Sequence, residues 1–324
     1  MRDFYNMFGF EKDNSGLYQK TLKNAMGCSG VGIHSGESVS ITLRPAPSDM
    51  GIVFVRTDLE GRPEIPANHK YVIDTTRCTK IGLSKNISVS TVEHLMAAFA
   101  GAGIDNAYVD IDGSEVPIMD GSSHPFVLLI ECAGTLEQDA YRKYLKILKP
   151  MEISSDSAKV SLRPADSFSM TFEATLKRFW KNTKKITFKN NPQHFKRDLS
   201  RARTIGFIDE VETLRKAGLA LGGSLNNTVV FNGSEIMNKE GLRYDDEFVR
   251  HKALDALGDL YLAGGPVIGR FKGYCSGHTL NHLVLKDLFA DNDAYTWVTL
   301  AEEAGSVEQF LPVAFPTERV AVSA

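Results

Sequence analysis

Cysteine is scarce in this sequence. The four present, Cys28, Cys78, Cys132 and Cys275, are far apart and form no Cys-x-x-Cys pair, which argues against a disulfide framework and against a cysteine-built zinc ribbon. Long apolar runs are missing as well: nothing approaches the roughly 18 consecutive apolar residues of a membrane-spanning helix. The first twenty residues mix Arg2, Asp3, Glu11, Lys12 and Asp13 with aromatics and hold no continuous apolar stretch, so they do not read as a signal peptide. A reducing cytoplasm is therefore the expected setting. Charge of one sign is also lacking. The net value is −3 at pH 7, which gives no ground for expecting nucleic acid as a partner.

What is present describes an ordinary globular chain. Its 324 residues, 43% hydrophobic and 24% charged, suffice for about two domains with a sizeable core. Organised sequence is expected from about Thr21, after a loosely held extension (1–20). An internal echo then divides the chain. Leu43-Arg44-Pro45-Ala46 and Leu162-Arg163-Pro164-Ala165 each follow an alternating strand and precede another, the trace of a duplicated domain, or else a chance tetrapeptide match. The halves add helices near 91–100 and 123–133, and near 246–261 and 278–289, with strands at 106–112 and 266–274. This is an α+β pattern of sheet plus helices in each half. The boundary is expected near 135–144, which gives domain I as 21–139, domain II as 140–290 and a tail as 291–324. Material at about 195–231 reads as an insert able to stand over a site. Residues 177–189 hold six Lys or Arg beside Phe179, Trp180 and Phe188. They read as a solvated loop or strand face, or as a contact for anionic lipid or nucleotide.

Chemistry concentrates on two helices. Taking His251 as zero and about 100° per residue, Asp255 falls at about 40°, Asp259 at about 80° and Lys252 at about 100°. Four ionisable groups thus share one stripe of a helix whose other faces are apolar. Buried charges need a partner or a metal, and His and Asp four apart can give one zinc ion two ligands. A plain His–Asp hydrogen bond is the alternative. The second helix opens with Glu93 and His94. Ser90 and Glu93 have capping-box spacing, which by itself would explain the carboxylate. Combined, His94, His251 and Asp255 form an N, N, O set with a fourth position open, the pattern of a catalytic zinc site. Glu93 is then placed to act as general base, and His278, with Asp259 to orient it, to serve the leaving group.

Eight collinear stretches carry a resemblance: GVGIHSG (31–37), DTTRCT (74–79), TVEHLMAAFAGAGIDN (91–106), EVPIMDGSSHPF (115–126), RARTIGF (201–207), LGGS (221–224), GLRYDDEFVRHKALDALGDL (241–260) and SGHTLN (276–281). They resemble the UDP-3-O-acyl-N-acetylglucosamine deacetylase family, the zinc amidases of lipid A synthesis. The resemblance implies two similar sheet-plus-helix domains, a duplicated two-layer sandwich, facing each other across the active site, each with a small insert. It assigns zinc to His94, His251 and Asp255, with iron(II) as a substitute the same ligands accept. It gives the base role to Glu93, the acid or electrostatic role to His278 with Asp259 behind it, and an oxyanion-type role to Thr204. Lys252, Ile205, Phe207 and Gly223 are implied as substrate contacts, and the insert as an apolar passage for the acyl chain. Ile205 departs from the family, which usually has an aromatic residue there. The implied partner is UDP-3-O-acyl-N-acetylglucosamine, acted on by a monomer. A zinc amidase for another acylated sugar or peptide, and a non-catalytic binding protein that kept the fold, are the competing readings.

Overall fold

The computed structural model describes residues 16–175, 183–189 and 191–300. In the first half, strands β1 (Met26–Val31), β2 (Ser38–Pro45), β3 (Ile52–Arg56), β4 (Glu64–Pro66) and β5 (Ala107–Ile111) form one sheet in the order β1-β2-β5-β3-β4. In the second, β6 (Met151–Ser154), β7 (Lys159–Arg163), β8 (Ser169–Ala174), β9 (Lys184–Lys189) and β10 (Arg270–Tyr274) form another in the order β6-β7-β10-β8-β9. The directions repeat too. In each sheet the third and fourth neighbours, β5 with β3 and β10 with β8, run parallel, and every other pair is antiparallel. The Leu-Arg-Pro-Ala echo lies at the end of the second strand of each sheet, where Leu43 stands opposite Val109 and Leu162 opposite Phe271. Duplication accounts for a shared strand order and a shared register landmark; chance does not.

Period-two alternation sends Val39, Ile41 and Leu43 of β2 and Met170 and Phe172 of β8 into the interior, as a sheet covered on one face requires. Helices α1 (Glu93–Ala102) and α2 (His124–Ala133) belong to the first half. Helix α3 (Ile208–Lys216) lies in the insert, and α4 (Glu247–Tyr261) and α5 (His278–Ala290) belong to the second. Helix α4 packs on β8 and β9, α5 on β6 and β7, and α1 lies along α4 at the centre of the molecule. One apolar core, from Leu22 through Phe99 and Phe172 to Ala294, runs through both halves. Gly258 permits the central crossing: a Cβ there would sit 2.0 Å from the Glu93 carbonyl oxygen. No larger residue fits without moving a helix.

Several local expectations shift. The strand expected over 266–274 is two strands, Val267–Ile268 and β10, separated at Gly269. Strand Tyr18–Leu22 pairs with Thr135–Tyr141, while Lys143–Ile147 pairs with both Val267–Ile268 and Tyr295–Thr299. Of the basic stretch, 177–182 lies outside the described residues. Strand β9 is a sheet edge with Ile186 and Phe188 buried and Lys185 paired with Glu173 at 3.4 Å. It is a solvated strand face, and Phe188 belongs to the core rather than to any interface.

Candidate metal centre

The start of α1 is not the capping box that Ser90 and Glu93 suggest. Thr91 adopts a left-handed φ of 59°, the helix begins at Glu93 after an uncapped Val92, and Ser90 Oγ donates to the Ser114 carbonyl. A β-branched residue avoids that region unless its surroundings hold it there. Here the buried Glu115 carboxylate accepts the Thr91 hydroxyl at 3.0 Å, together with the backbone N–H groups of His34 and Ser35. The tight turn frees the Glu93 side chain from helix capping and turns it inward, where it accepts the Thr79 N–H at 3.1 Å.

Across the Gly258 crossing, α4 presents His251 and Asp255 one turn apart. His251 Nε2 lies 3.2 Å from Asp255 Oδ1, and His94 Nε2 lies 3.5 Å from that same oxygen. All three groups are buried, and their ligand atoms fall within 4.8 Å of one another. The donor set fits a metal ion. Ligands at about 2.0–2.1 Å in a tetrahedron stand about 3.3 Å apart, close to both distances. His251 Nδ1 can only donate to the Ala202 carbonyl, 3.0 Å away, which leaves Nε2 as a lone pair. Asp255 Oδ1 is buried without a hydrogen-bond partner. A lone pair and a carboxylate oxygen facing each other out of water repel unless a cation lies between them.

Burial pushes His251 down to about 4, only partly offset by Asp255, so the imidazole is neutral, as a ligand must be. Burial also works against an ionised Asp255, but the Lys252 ammonium helps hold that carboxylate well below the usual range. Lys252 Nζ stands 3.6 Å from Asp255 Oδ2. On the other side of the cluster burial raises Glu93 above an ordinary carboxylate, with His278 and His94 pulling back. His278 behaves in the opposite sense: burial disfavours its charge, yet Asp259 and Glu93 outweigh it and raise the imidazole to about 9. Its Nδ1 bonds Asp259 Oδ2 at 2.9 Å and its Nε2 lies 3.6 Å from Glu93 Oε1. Asp259 is tied in turn by the Thr79 hydroxyl at 2.6 Å and by Asn281 Nδ2 at 2.9 Å.

A cavity of about 560 Å3 opens on these groups. Thr204, Ile205, Phe207, Gly223 and Lys252 all line it, whereas Asp259 sits behind His278 and does not. Away from the charged floor the walls are mainly apolar, with Val211 and Leu214 from α3 and Leu225 and Val230 beyond, although Arg77, Glu210 and Arg215 also line the cavity. The insert is docked on the first half: Leu221 N–H donates to the His34 carbonyl and Gly222 N–H to that of Ile33. Every candidate ligand, catalytic or substrate-contact residue named from the sequence is thus in this one region. Sequence reading missed the Ala202 carbonyl, Thr79, Asn281, the Glu115 hub and a buried Arg203–Glu247 pair. Only Glu247, an acid in the first turn of a helix surrounded by core, leaves a trace that periodicity could have caught.

A cation-seeking cluster, an adjoining carboxylate kept from water and a largely apolar cavity point to a class, the metal-dependent hydrolases of acylated substrates. Similarity to known proteins narrows it. Residues 19–290 match the family described as UDP-3-O-acyl N-acetylglycosamine deacetylase, and the chain belongs to that family. It is similar to the UDP-3-O-acyl-N-acetylglucosamine deacetylase of Acidithiobacillus ferrooxidans, 48% identical over 288 residues, covering 88% of this chain and 94% of that one. The protein of the same name from Idiomarina loihiensis is 46% identical over 303 residues, 92% of this chain and 97% of its own.

Proposed function

We propose that this chain hydrolyses the 2-acetamido group of UDP-3-O-acyl-N-acetylglucosamine, releasing acetate, as a committed step of lipid A biosynthesis. The observation that carries the reading is the convergence of His94, His251 and Asp255 on one point beside Glu93, in a chain of this family. Zinc is the ion proposed for these three residues, with iron(II) acceptable to the same ligands; when bound it polarises the scissile carbonyl and makes water a stronger acid.

The protein's own groups do the rest. Glu93, kept weakly acidic by burial, accepts a proton from the attacking water as it adds to the acetamide carbon. The Thr204 hydroxyl donates to the oxygen on which charge develops. His278, held protonated by Asp259, gives its proton to the amine nitrogen as the C–N bond breaks. Thr79 and Asn281 fix the Asp259 carboxylate, and so the face of the imidazole that Nε2 turns toward Glu93. With Glu93 and His278 only 3.6 Å apart, the proton taken from water can return to the imidazole between turnovers. Lys252 meets the polar part of the substrate. Ile205, Phe207 and Gly223 contact sugar and acyl groups, and the apolar walls accept the acyl chain.

We take the enzyme as a cytoplasmic monomer whose four cysteines are free. Any contact of segment 177–189 with anionic lipid would be peripheral. It also treats the two halves as domains meeting near residue 140, since Thr135–Tyr141 pairs back to the first half and Lys143–Ile147 forward to the second. Release of acetate from the acylated UDP-sugar tests the activity directly. Acetate in step with free amine is the expected result, and intact substrate after prolonged incubation with metal-loaded protein would reject it.

A further inference from the structure

Two successive turns of α4 are gripped by two successive residues of another segment. In the first turn, Glu247 is fully buried, and its carboxylate accepts four N–H groups. Arg203 N and Nε reach Oε1 at 2.9 and 2.8 Å; Arg203 Nη2 and Arg243 N reach Oε2 at 3.2 and 2.6 Å. The rest of the guanidinium is spent on Glu240, at 2.8 Å, and on the Gly241 carbonyl, at 2.7 Å. One turn further on, at the i+4 position that lies on the same face, His251 Nδ1 meets the carbonyl of Ala202, the residue before Arg203. On the other side Arg203 is followed by Thr204, whose backbone is tied to Gly121 and Val229 and which lines the cavity. Helix α4 has no side-chain cap at Asp246, so the bonded Glu247 is what anchors this end of the helix to the segment 202–204.

We propose that Arg203 and Glu247 are positioning residues for the metal centre: their ion pair sets the distance between segment 202–204 and α4, and thereby holds the Ala202 carbonyl on His251 Nδ1. Without that hydrogen bond the imidazole loses both its fixed tautomer and its fixed plane; the first loss lets the proton move to Nε2 in place of the lone pair, and the second turns that lone pair away from His94 and Asp255. The pair touches neither substrate nor metal. Its influence is transmitted through one carbonyl. This rests on the reading of His251 as a ligand, and the test separates the two.

Breaking a buried pair by removing one partner leaves a lone charge, whereas replacing both by apolar residues of similar size is often neutral for the fold. The informative variant is therefore the double one, Arg203→Met with Glu247→Leu, measured by zinc affinity against a competing chelator and by the melting temperature of the metal-free protein. Melting lower by several degrees, because the backbone N–H groups of Arg203 and Arg243 lose their acceptor, and a zinc affinity lower by about 10-fold to 100-fold, the usual size of an outer-sphere effect, are expected. In wild type the zinc-loaded protein should show a slowly exchanging imidazole Nδ1–H from His251; in the double variant that resonance should be lost to exchange. Val160→Ala, a truncation at a fully buried position of β7, should lower the melting temperature and leave zinc affinity alone, which separates positioning from general stability. A folded double variant with wild-type zinc affinity overturns the proposal. If that variant does not fold, Glu247→Gln takes its place, because it keeps the shape and one acceptor oxygen; reduced affinity supports the proposal and unchanged affinity overturns it. Should His251→Ala bind zinc as tightly as wild type, the ligand reading itself fails and the proposal falls with it.

Discussion

Substituting Gly258 by alanine should weaken a site that the residue never touches. Alanine is the better helix former, by about 1 kcal/mol in a helix interior, so helix propensity alone predicts that Gly258→Ala stabilises α4. Packing predicts the reverse. The added methyl would lie 2.0 Å from the Glu93 carbonyl oxygen and 2.9 Å from its carbonyl carbon, against the roughly 3.5 Å of an ordinary contact. Neither atom belongs to a flexible side chain, so the two helices must separate by more than about 1 Å at their crossing. Overpacking of this kind costs about 1–3 kcal/mol, enough to cancel the propensity gain and leave a net loss in melting temperature of a few degrees.

The functional effect should be larger than the thermal one. His94 and Glu93 lie on one of the separating helices, His251 and Asp255 on the other, and a shift near 1 Å exceeds the roughly 0.2 Å tolerance of a metal ligand set. Misplacement on that scale can lower turnover by about 10²-fold. The assay is deacetylation rate and bound metal per chain for Gly258→Ala beside Gly277→Ala, where a methyl would meet nothing within 4 Å. If Gly258→Ala retained wild-type metal content and turnover, the idea that the helix crossing assembles the site would be refuted.

Three further outcomes are expected. Glu93→Gln should retain the metal and lower kcat by about 10²-fold to 10⁴-fold, measured as turnover per bound ion; loss of the ion instead would make Glu93 a ligand. Lys252→Ala should raise KM for the UDP-sugar more than it lowers kcat, which steady-state kinetics would decide. In metal-free protein two histidines should pull melting in opposite directions on either side of pH 6.5. His278, raised to about 9, contributes stability that is complete below 6.5 and is lost as pH rises through 9. His251, lowered to about 4, costs stability increasingly as pH falls from 6.5 to 4. His278→Gln should flatten the alkaline side, and an unchanged curve would contradict the Asp259–His278 interaction.

The duplicated architecture was legible because a four-residue echo happened to close equivalent strands of two sheets with the same order. The site was legible because its ligands stand one helical turn apart on α4, where ionisable groups on a helix packed in core must be paired or hold an ion. Glu93 was harder. The capping-box spacing from Ser90 is real, but the left-handed Thr91 makes the helix start later than that motif requires, and this turn depends on Glu115, 24 residues away. Ala202, Thr79 and Asn281 were out of reach for a different reason. The Ala202 carbonyl meets His251 across 49 residues, and the Thr79 hydroxyl meets Asp259 across 180. Contacts made by a carbonyl or a lone hydroxyl at such separations leave no periodic mark on a sequence. The division of strand 266–274 was missed because apolar residues stand on both sides of the bend at Gly269, Val267 and Ile268 before it and Phe271 after it.

Everything proposed for this site requires that His94, His251 and Asp255 hold one ion that the chain needs for amide hydrolysis. The direct measurement is a zinc titration of metal-stripped protein, following acetate release from UDP-3-O-acyl-N-acetylglucosamine. Negligible release without metal is expected, with recovery that saturates at one ion per chain and no recovery at that stoichiometry in His94→Ala. Full turnover by the stripped protein, or equal recovery in His94→Ala, would contradict it.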